Sequence, residues 1–138
     1  MLDDIFEAAR GYYPELKDHM IGLDTLDMTL TRRKVVFAKV RAIKTINGDH
    51  RWVIFLNRKV LEHEPPREFL LETICHELEH IRNGDVDLEK AHGSSRPHAG
   101  GRIDREVKAR IDTVYDISEG WKKHFVEGVM KKKRVKGK

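Results

Sequence analysis

Residues 66–84 read PREFLLETICHELEHIRNG, and they carry the clearest structural pattern in the chain. Its apolar residues recur at the spacing of one helix face, at Leu70, Ile74, Leu78 and Ile81. Proline at the start and Asn83-Gly84 at the end suit the two ends of a helix. The pattern therefore predicts an amphipathic helix, with Glu72 and Glu79 on its solvent side.

The segments before this helix predict a small sheet. Strands are expected at 23–30 and 34–44, where β-branched residues are frequent. Asn47-Gly48 suits a tight turn, and 51–56 returns as a further strand, so 34–57 is predicted to form a hairpin. With an amphipathic helix at 2–10, the expected class is α+β with an antiparallel sheet of about three strands.

The segments after this helix predict a loop and further helices. Residues 85–101 lack apolar periodicity and read as a loop. A following amphipathic helix is marked by Ile103, Val107, Ile111 and Val114. Ser118 is expected to cap a last short helix, in which Trp121 and Phe125 belong to the core.

Composition favours one folded domain. The chain has 138 residues, of which 39% are hydrophobic and 36% charged, and this length suits a single domain. No apolar run is long enough to cross a bilayer, and the acidic start does not resemble a signal peptide, so we expect a cytoplasmic protein without membrane contact. The only cysteine, Cys75, excludes an internal disulfide and a multi-cysteine zinc site.

The positive charge is concentrated at the end of the chain. Six of the eight residues in 131–138 are basic, and the other residues carry 21 basic against 23 acidic groups, although the net charge of the whole chain is +4. We predict one domain over 1–130 and a disordered basic tail over Lys131–Lys138. Weak nonspecific contact with nucleic acid is the functional interpretation of the tail.

The helix predicted within 66–84 contains the motif H-E-x-x-H, formed by His76, Glu77 and His80. Residues four apart share a helix face, so the two imidazoles can bind one ion, and imidazole suits zinc. Glu77 lies on the flank of that face. A carboxylate there can act as general base toward a water molecule whose pKa the metal lowers.

A catalytic zinc ion usually has three protein ligands and one open position, so a third ligand is expected downstream. The candidates are His92, His98, Asp104 and Glu106. His98 is favoured because it lies in the loop just before the next predicted helix, but the other three remain open.

The run Trp52–Asn57, the motif at 72–80 and Arg96-Pro97-His98 together resemble minimal zincin metallopeptidases. The nearest resemblance is to SprT-like domains and phage-type metallopeptidases, and it covers roughly residues 50–121. It implies a zincin-like fold with one zinc ion per chain, held by His76, His80 and His98, and with Glu77 as catalytic base. A rival resemblance, to ImmA-like metallopeptidases, implies Glu106 as the third ligand.

We therefore expect a zinc metallopeptidase that hydrolyses a protein or peptide lying along an exposed sheet edge. Tyr115 is a candidate donor to the developing oxyanion, although a packed aromatic ring is the alternative interpretation. The alternative function is a noncatalytic zinc-containing module that docks on nucleic acid through its basic tail. Three protein ligands would favour catalysis, whereas four would close the site.

Overall fold

The computed structural model describes the backbone of residues 2–84 and 101–136, and side chains as far as residue 129. It confirms the α+β class. The elements in chain order are α1 (Leu2–Gly11), a 3-10 turn (Pro14–Leu16), β1 (Ile21–Leu26), β2 (Ala38–Lys44), β3 (His50–Asn57), α2 (Arg58–Leu61), α3 (Arg67–Arg82), α4 (Arg102–Ile111) and α5 (Thr113–Lys136).

The expected hairpin is confirmed. β2 pairs antiparallel with β3, from Ala38 opposite Leu56 to Lys44 opposite His50. Gly48 has a φ of 87°, a value that glycine adopts without steric cost, and its N–H donates to the carbonyl of Thr45 at 2.9 Å. The Asn47-Gly48 signal thus located the turn correctly.

The prediction of an antiparallel sheet is wrong for β1. The strand order is β1-β3-β2, and β1 runs parallel to β3, so the sheet is mixed. Hydrophobic alternation shows which face of a strand is buried but carries no information on its direction. β1 also begins earlier than predicted and ends at Leu26, whereas Leu30 and Val35 form only an isolated bridge.

Helix α3 lies at the centre of the molecule. It packs against α1, α4, α5 and the sheet. On its apolar side, Ile74 and Leu78 are fully buried, as is Ile54 of β3. The stripe that predicted this helix therefore forms the middle of the core.

The C-terminal helices differ from the prediction in their bounds. α4 ends at Ile111, and Asp112, with a φ of 44°, separates it from α5. Ser118, the predicted cap, lies inside α5 and is buried because its hydroxyl bonds to a carboxylate of α3. Phe125 is buried as expected, and it stacks on Trp121, which is partly buried and packs against the core.

Helix α5 continues as far as Lys136, and so includes most of the segment predicted as a disordered tail. The loop expected at 85–101 is described only at Gly101, so His92 and His98 lie outside the described residues. Within the described ranges, no helix combines the length and the apolar character needed to cross a bilayer.

Candidate metal and substrate site

The structure brings together the three residues of the H-E-x-x-H motif. One ligand atom each from His76, Glu77 and His80 lies within 4.8 Å of the other two. The imidazole centroids are 4.8 Å apart, and the ring planes are inclined at 76°. His80 and Glu77 are buried and His76 is partly buried, so this cluster lies at the border of the core rather than on an open surface.

The ring of His76 is oriented by its neighbour. Nδ1 of His76 lies 3.2 Å from Oε2 of Glu77. An ionised carboxylate can only accept a hydrogen bond, so Nδ1 is the donor, and Nε2 is the nitrogen that can coordinate a metal ion. Burial alone would lower the pKa of His76. The hydrogen bond to Glu77 and its negative charge have a larger effect in the opposite direction, so the net pKa of His76 is raised.

Asp104 is placed next to this cluster. It lies in the first turn of α4, and its Oδ1 is 3.7 Å from Nε2 of His76. Two atoms bound to one tetrahedral zinc ion at 2.0–2.1 Å lie about 3.3 Å apart. The separation between Asp104 and His76 is therefore close to that of two ligands of one ion.

Glu106 is directed elsewhere. Its carboxylate is 41% exposed and lies 3.5 Å from Nε of Arg110, one turn later on α4. Of the two third-ligand candidates within the described residues, the geometry favours Asp104. His92 and His98, the favoured candidate, lie outside the described residues, and their position relative to the cluster stays a prediction.

A cavity of about 270 Å³ adjoins the motif. It lies between α3 and the segment that leads into β2, the outer strand on that side of the sheet. Its lining residues are Val35, Val36, Phe37, Ala38, Glu72, Thr73, His76, Glu77 and Lys122. A ligand in this cavity would therefore contact the start of β2 and the motif together.

The sheet side of this cavity, formed by residues 35–38, is held in place by Asn57, the last residue of β3. The Nδ2 group of Asn57 donates to the carbonyls of Val36 at 2.7 Å and Thr29 at 3.1 Å. Its Oδ1 accepts from the N–H groups of Met28 and Lys59. All four side-chain hydrogen bonds of this buried amide are made, so it fixes the position of the cavity wall.

The expectation that Glu72 lies in solvent is wrong, because its side chain is 1% exposed. The hydroxyl of Ser118 donates to Oε1 of Glu72 at 2.8 Å, and Nζ of Lys122 lies 3.1 Å from the same atom. The position of Glu72 beside the motif could have been predicted from the sequence. Glu72 precedes His76 by four residues, and residues at that spacing share a helix face.

Glu79 is also buried, again in contrast to the prediction. Its carboxylate accepts hydrogen bonds from Tyr13 at 2.8 Å, from Arg82 at 2.6 and 2.9 Å, and from Asn83 at 2.7 Å. A buried charge is tolerated when it is paired and hydrogen-bonded in this way. These contacts tie the end of α3 to the turn that follows α1.

Tyr115 of α5 is partly buried and lies close enough to Asp104 and Glu72 for their charges to act on its hydroxyl. Burial, followed by the charge of Asp104, raises the pKa of Tyr115 to about 12. The hydroxyl therefore keeps its proton at neutral pH and can donate a hydrogen bond.

No model of a known protein family matches this chain, and no match is found among curated proteins.

Proposed function

We propose that this chain is a zinc-dependent metallopeptidase that hydrolyses peptide bonds. The observation that carries the proposal is the cluster of His76, Glu77 and His80 beside a cavity that reaches the outer strand of the sheet. The cluster supplies the chemistry of a hydrolase, and the adjoining strand edge is a surface to which an extended substrate can add.

The donor set suits zinc. Two imidazoles with a nearby carboxylate form a common zinc-binding combination, whereas calcium and magnesium prefer sites made only of oxygen ligands. His76 and His80 would hold the ion, with a third ligand from His98, Asp104, His92 or Glu106. When bound, zinc would polarise the scissile carbonyl and lower the pKa of water.

Glu77 is the proposed general base. It takes a proton from the attacking water and passes it to the amine that leaves. Its burial protects the proton transfer from bulk solvent, while its place in the cavity lining gives it access to a substrate. Tyr115, which keeps its proton, is a candidate donor to the developing oxyanion.

The first test is metal content. Purified protein should contain about one zinc ion per chain, and the double variant His76→Ala, His80→Ala should contain none. The matched control replaces His50 and His124, two exposed histidines outside the cluster, by alanine. Stoichiometric zinc in the His76, His80 variant would rule out the site.

The second test is catalysis. Glu77→Gln keeps the size of the side chain but cannot take up a proton, so it should keep its zinc and lose hydrolysis of an unfolded protein. Equal cleavage by the wild type and by Glu77→Gln would show that Glu77 is not the base. Loss of zinc from Glu77→Gln would instead assign Glu77 a part in metal binding.

The alternative is a noncatalytic zinc-containing module that binds nucleic acid, and it draws on the six basic groups in Lys131–Lys138. In that case, truncation after Met130 should greatly weaken binding to nucleic acid and reduce its dependence on salt. A zinc ion with four protein ligands would support this alternative, and three protein ligands with an open position would favour the peptidase.

A further inference from the structure

The cavity beside the motif has one charged wall, which the mechanism above does not use. This wall is formed by Glu72 of α3 and Lys122 of α5, whose Oε1 and Nζ atoms lie 3.1 Å apart. Ser118 and Lys122 both bond to Oε1 of Glu72. Among the described residues, no group donates a hydrogen bond to Oε2, and Glu72 lines the cavity, so this oxygen can accept a hydrogen bond from a ligand.

Negative charge exceeds positive charge around Lys122, because Glu119 of α5 lies beside the cavity lining and contacts the same ammonium as Glu72. Nζ of Lys122 lies 3.1 Å from Glu72 and 2.8 Å from Oε2 of Glu119, so two carboxylates surround one ammonium. Burial alone would lower the pKa of Lys122. The charges of Glu72 and Glu119 have a larger effect in the opposite direction, so the net pKa of Lys122 is raised and the ammonium stays charged. The three groups together carry a formal charge of −1, which favours a cationic ligand over an anionic one.

The remaining lining matches the stem of a long side chain. Val35 and Phe37 provide apolar surface on the side of the cavity opposite α3. Lysine and arginine bury aliphatic stems against such surface while the charged group reaches polar partners. A volume of about 270 Å³ has room for one such side chain.

We propose that the cavity is a specificity subsite for a lysine or arginine side chain of the substrate, with Glu72 and Glu119 attracting its charge. The inference rests on the proposed peptidase function, because it assigns a ligand to the cavity of that same site. His76 and Glu77 line the same cavity, so the selected residue would lie next to the scissile bond.

The test compares peptides that differ at a single position near the scissile bond, which carries arginine, lysine, methionine or glutamate. Cleavage is measured with the zinc-loaded wild type, and equilibrium binding of labelled peptides is measured by fluorescence anisotropy with the full chain carrying Glu77→Gln. We expect the basic peptides to exceed the methionine peptide by about tenfold, the scale of one charge-assisted contact, and the glutamate peptide to be the poorest.

Glu119→Gln is the decisive variant, because Glu119 is 42% exposed and its replacement should not affect folding. It removes the excess negative charge around Lys122 and should reduce the preference for basic peptides by about threefold or more. Glu127→Gln, an exposed carboxylate further along α5, is the matched control and should keep the full preference. Glu72→Gln should reduce the preference further, with circular dichroism checking that the variant is folded.

The outcomes separate the two proposals. Cleavage without a preference for basic residues, or a preference that survives both Glu119→Gln and Glu72→Gln, overturns the subsite and leaves the peptidase standing. Selective binding of basic peptides without cleavage by the wild type supports the subsite and overturns the peptidase. Absence of both binding and cleavage overturns both.

Discussion

The hydroxyl of Tyr13 donates a hydrogen bond of 2.8 Å to Oε1 of Glu79, and both side chains are buried. This contact joins the segment after α1 to the last turn of α3, the helix that carries the H-E-x-x-H motif. Burial and the charge of Glu79 raise the pKa of Tyr13, which favours the protonated phenol that donates this hydrogen bond.

Replacing Tyr13 by phenylalanine should destabilise the protein. The change leaves one oxygen of a buried carboxylate without its donor, which costs about 1–3 kcal/mol of unfolding free energy. Urea denaturation measures the difference. Tyr12→Phe is the control because Tyr12 is exposed, and it should change the stability little. Equal stabilities for the two variants would contradict a structural role for the Tyr13 hydroxyl.

Glu15 should make stability depend on pH in the acid range. Its hydrogen bonds to Arg110, at 2.6 and 3.1 Å, lower the pKa of Glu15 from 4.5 to about 2. A lowered pKa stabilises the fold above the unfolded value, and this contribution is lost as the pH falls toward the folded value. The deficit in unfolding free energy of Glu15→Gln relative to wild type should therefore be full above about pH 5 and shrink between pH 4.5 and 2.

The control for Glu15 is Glu7→Gln, since Glu7 is an exposed carboxylate on α1. Its effect on stability should be small at all pH values. If the difference in unfolding free energy between wild type and Glu15→Gln stays constant from pH 7 to pH 2.5, the pairing with Arg110 does not lower the pKa of Glu15 in the folded protein.

Asn57→Asp should loosen the sheet side of the cavity, residues 35–38. The substitution keeps the acceptor Oδ1 but replaces two donated hydrogen bonds by a carboxylate that faces the carbonyls of Thr29 and Val36. We expect a loss of more than about 2 kcal/mol in unfolding free energy. The KM for peptides should rise while the zinc content is unchanged.

The control for Asn57 is Asn47→Asp, which makes the same chemical change at an exposed turn where aspartate is also accepted. Its stability and KM should match those of the wild type. A normal KM for Asn57→Asp would show that the position of the wall is not needed for substrate binding.

The two acidic third-ligand candidates on α4 should differ in their effect on zinc. Asp104→Asn should weaken zinc binding by about 10- to 100-fold, because Asp104 adjoins Nε2 of His76 and carboxylates next to metal sites contribute on that scale. Glu106→Gln should leave the affinity unchanged, since Glu106 faces Arg110. Competition with a chromogenic chelator measures both constants, and the same assay on His98→Ala tests the residue that the sequence favoured.

The elements predicted best from the sequence are those specified by local chemistry. Asn47-Gly48 suits the positive φ of a tight turn, so it predicts the hairpin correctly. The apolar periodicity of 70–81 indicates one buried helix face, so it predicts α3 correctly. The adjacency of His76 and His80 follows equally from the geometry of a helix.

The features that the sequence did not predict depend on contacts between distant segments. β1 runs parallel to β3 because of the path of the chain between them, which no strand pattern encodes. Glu79 is buried because Tyr13, 66 residues earlier, supplies a donor, and Glu72 is buried because α5 supplies Ser118 and Lys122. The sequence alone does not identify such distant partners, so it predicts that a polar residue on this helix is exposed to solvent.

Twelve of the sixteen residues of α3 are buried, and the proposed catalytic base is one of them. A random-mutagenesis screen scored by activity would therefore find inactive variants along almost the whole helix, and most of them would be misfolded rather than chemically impaired. Scoring soluble protein and activity in the same cells would separate the two groups. The few positions in α3 where activity falls while the amount of soluble protein does not would then define the reactive centre independently of any motif.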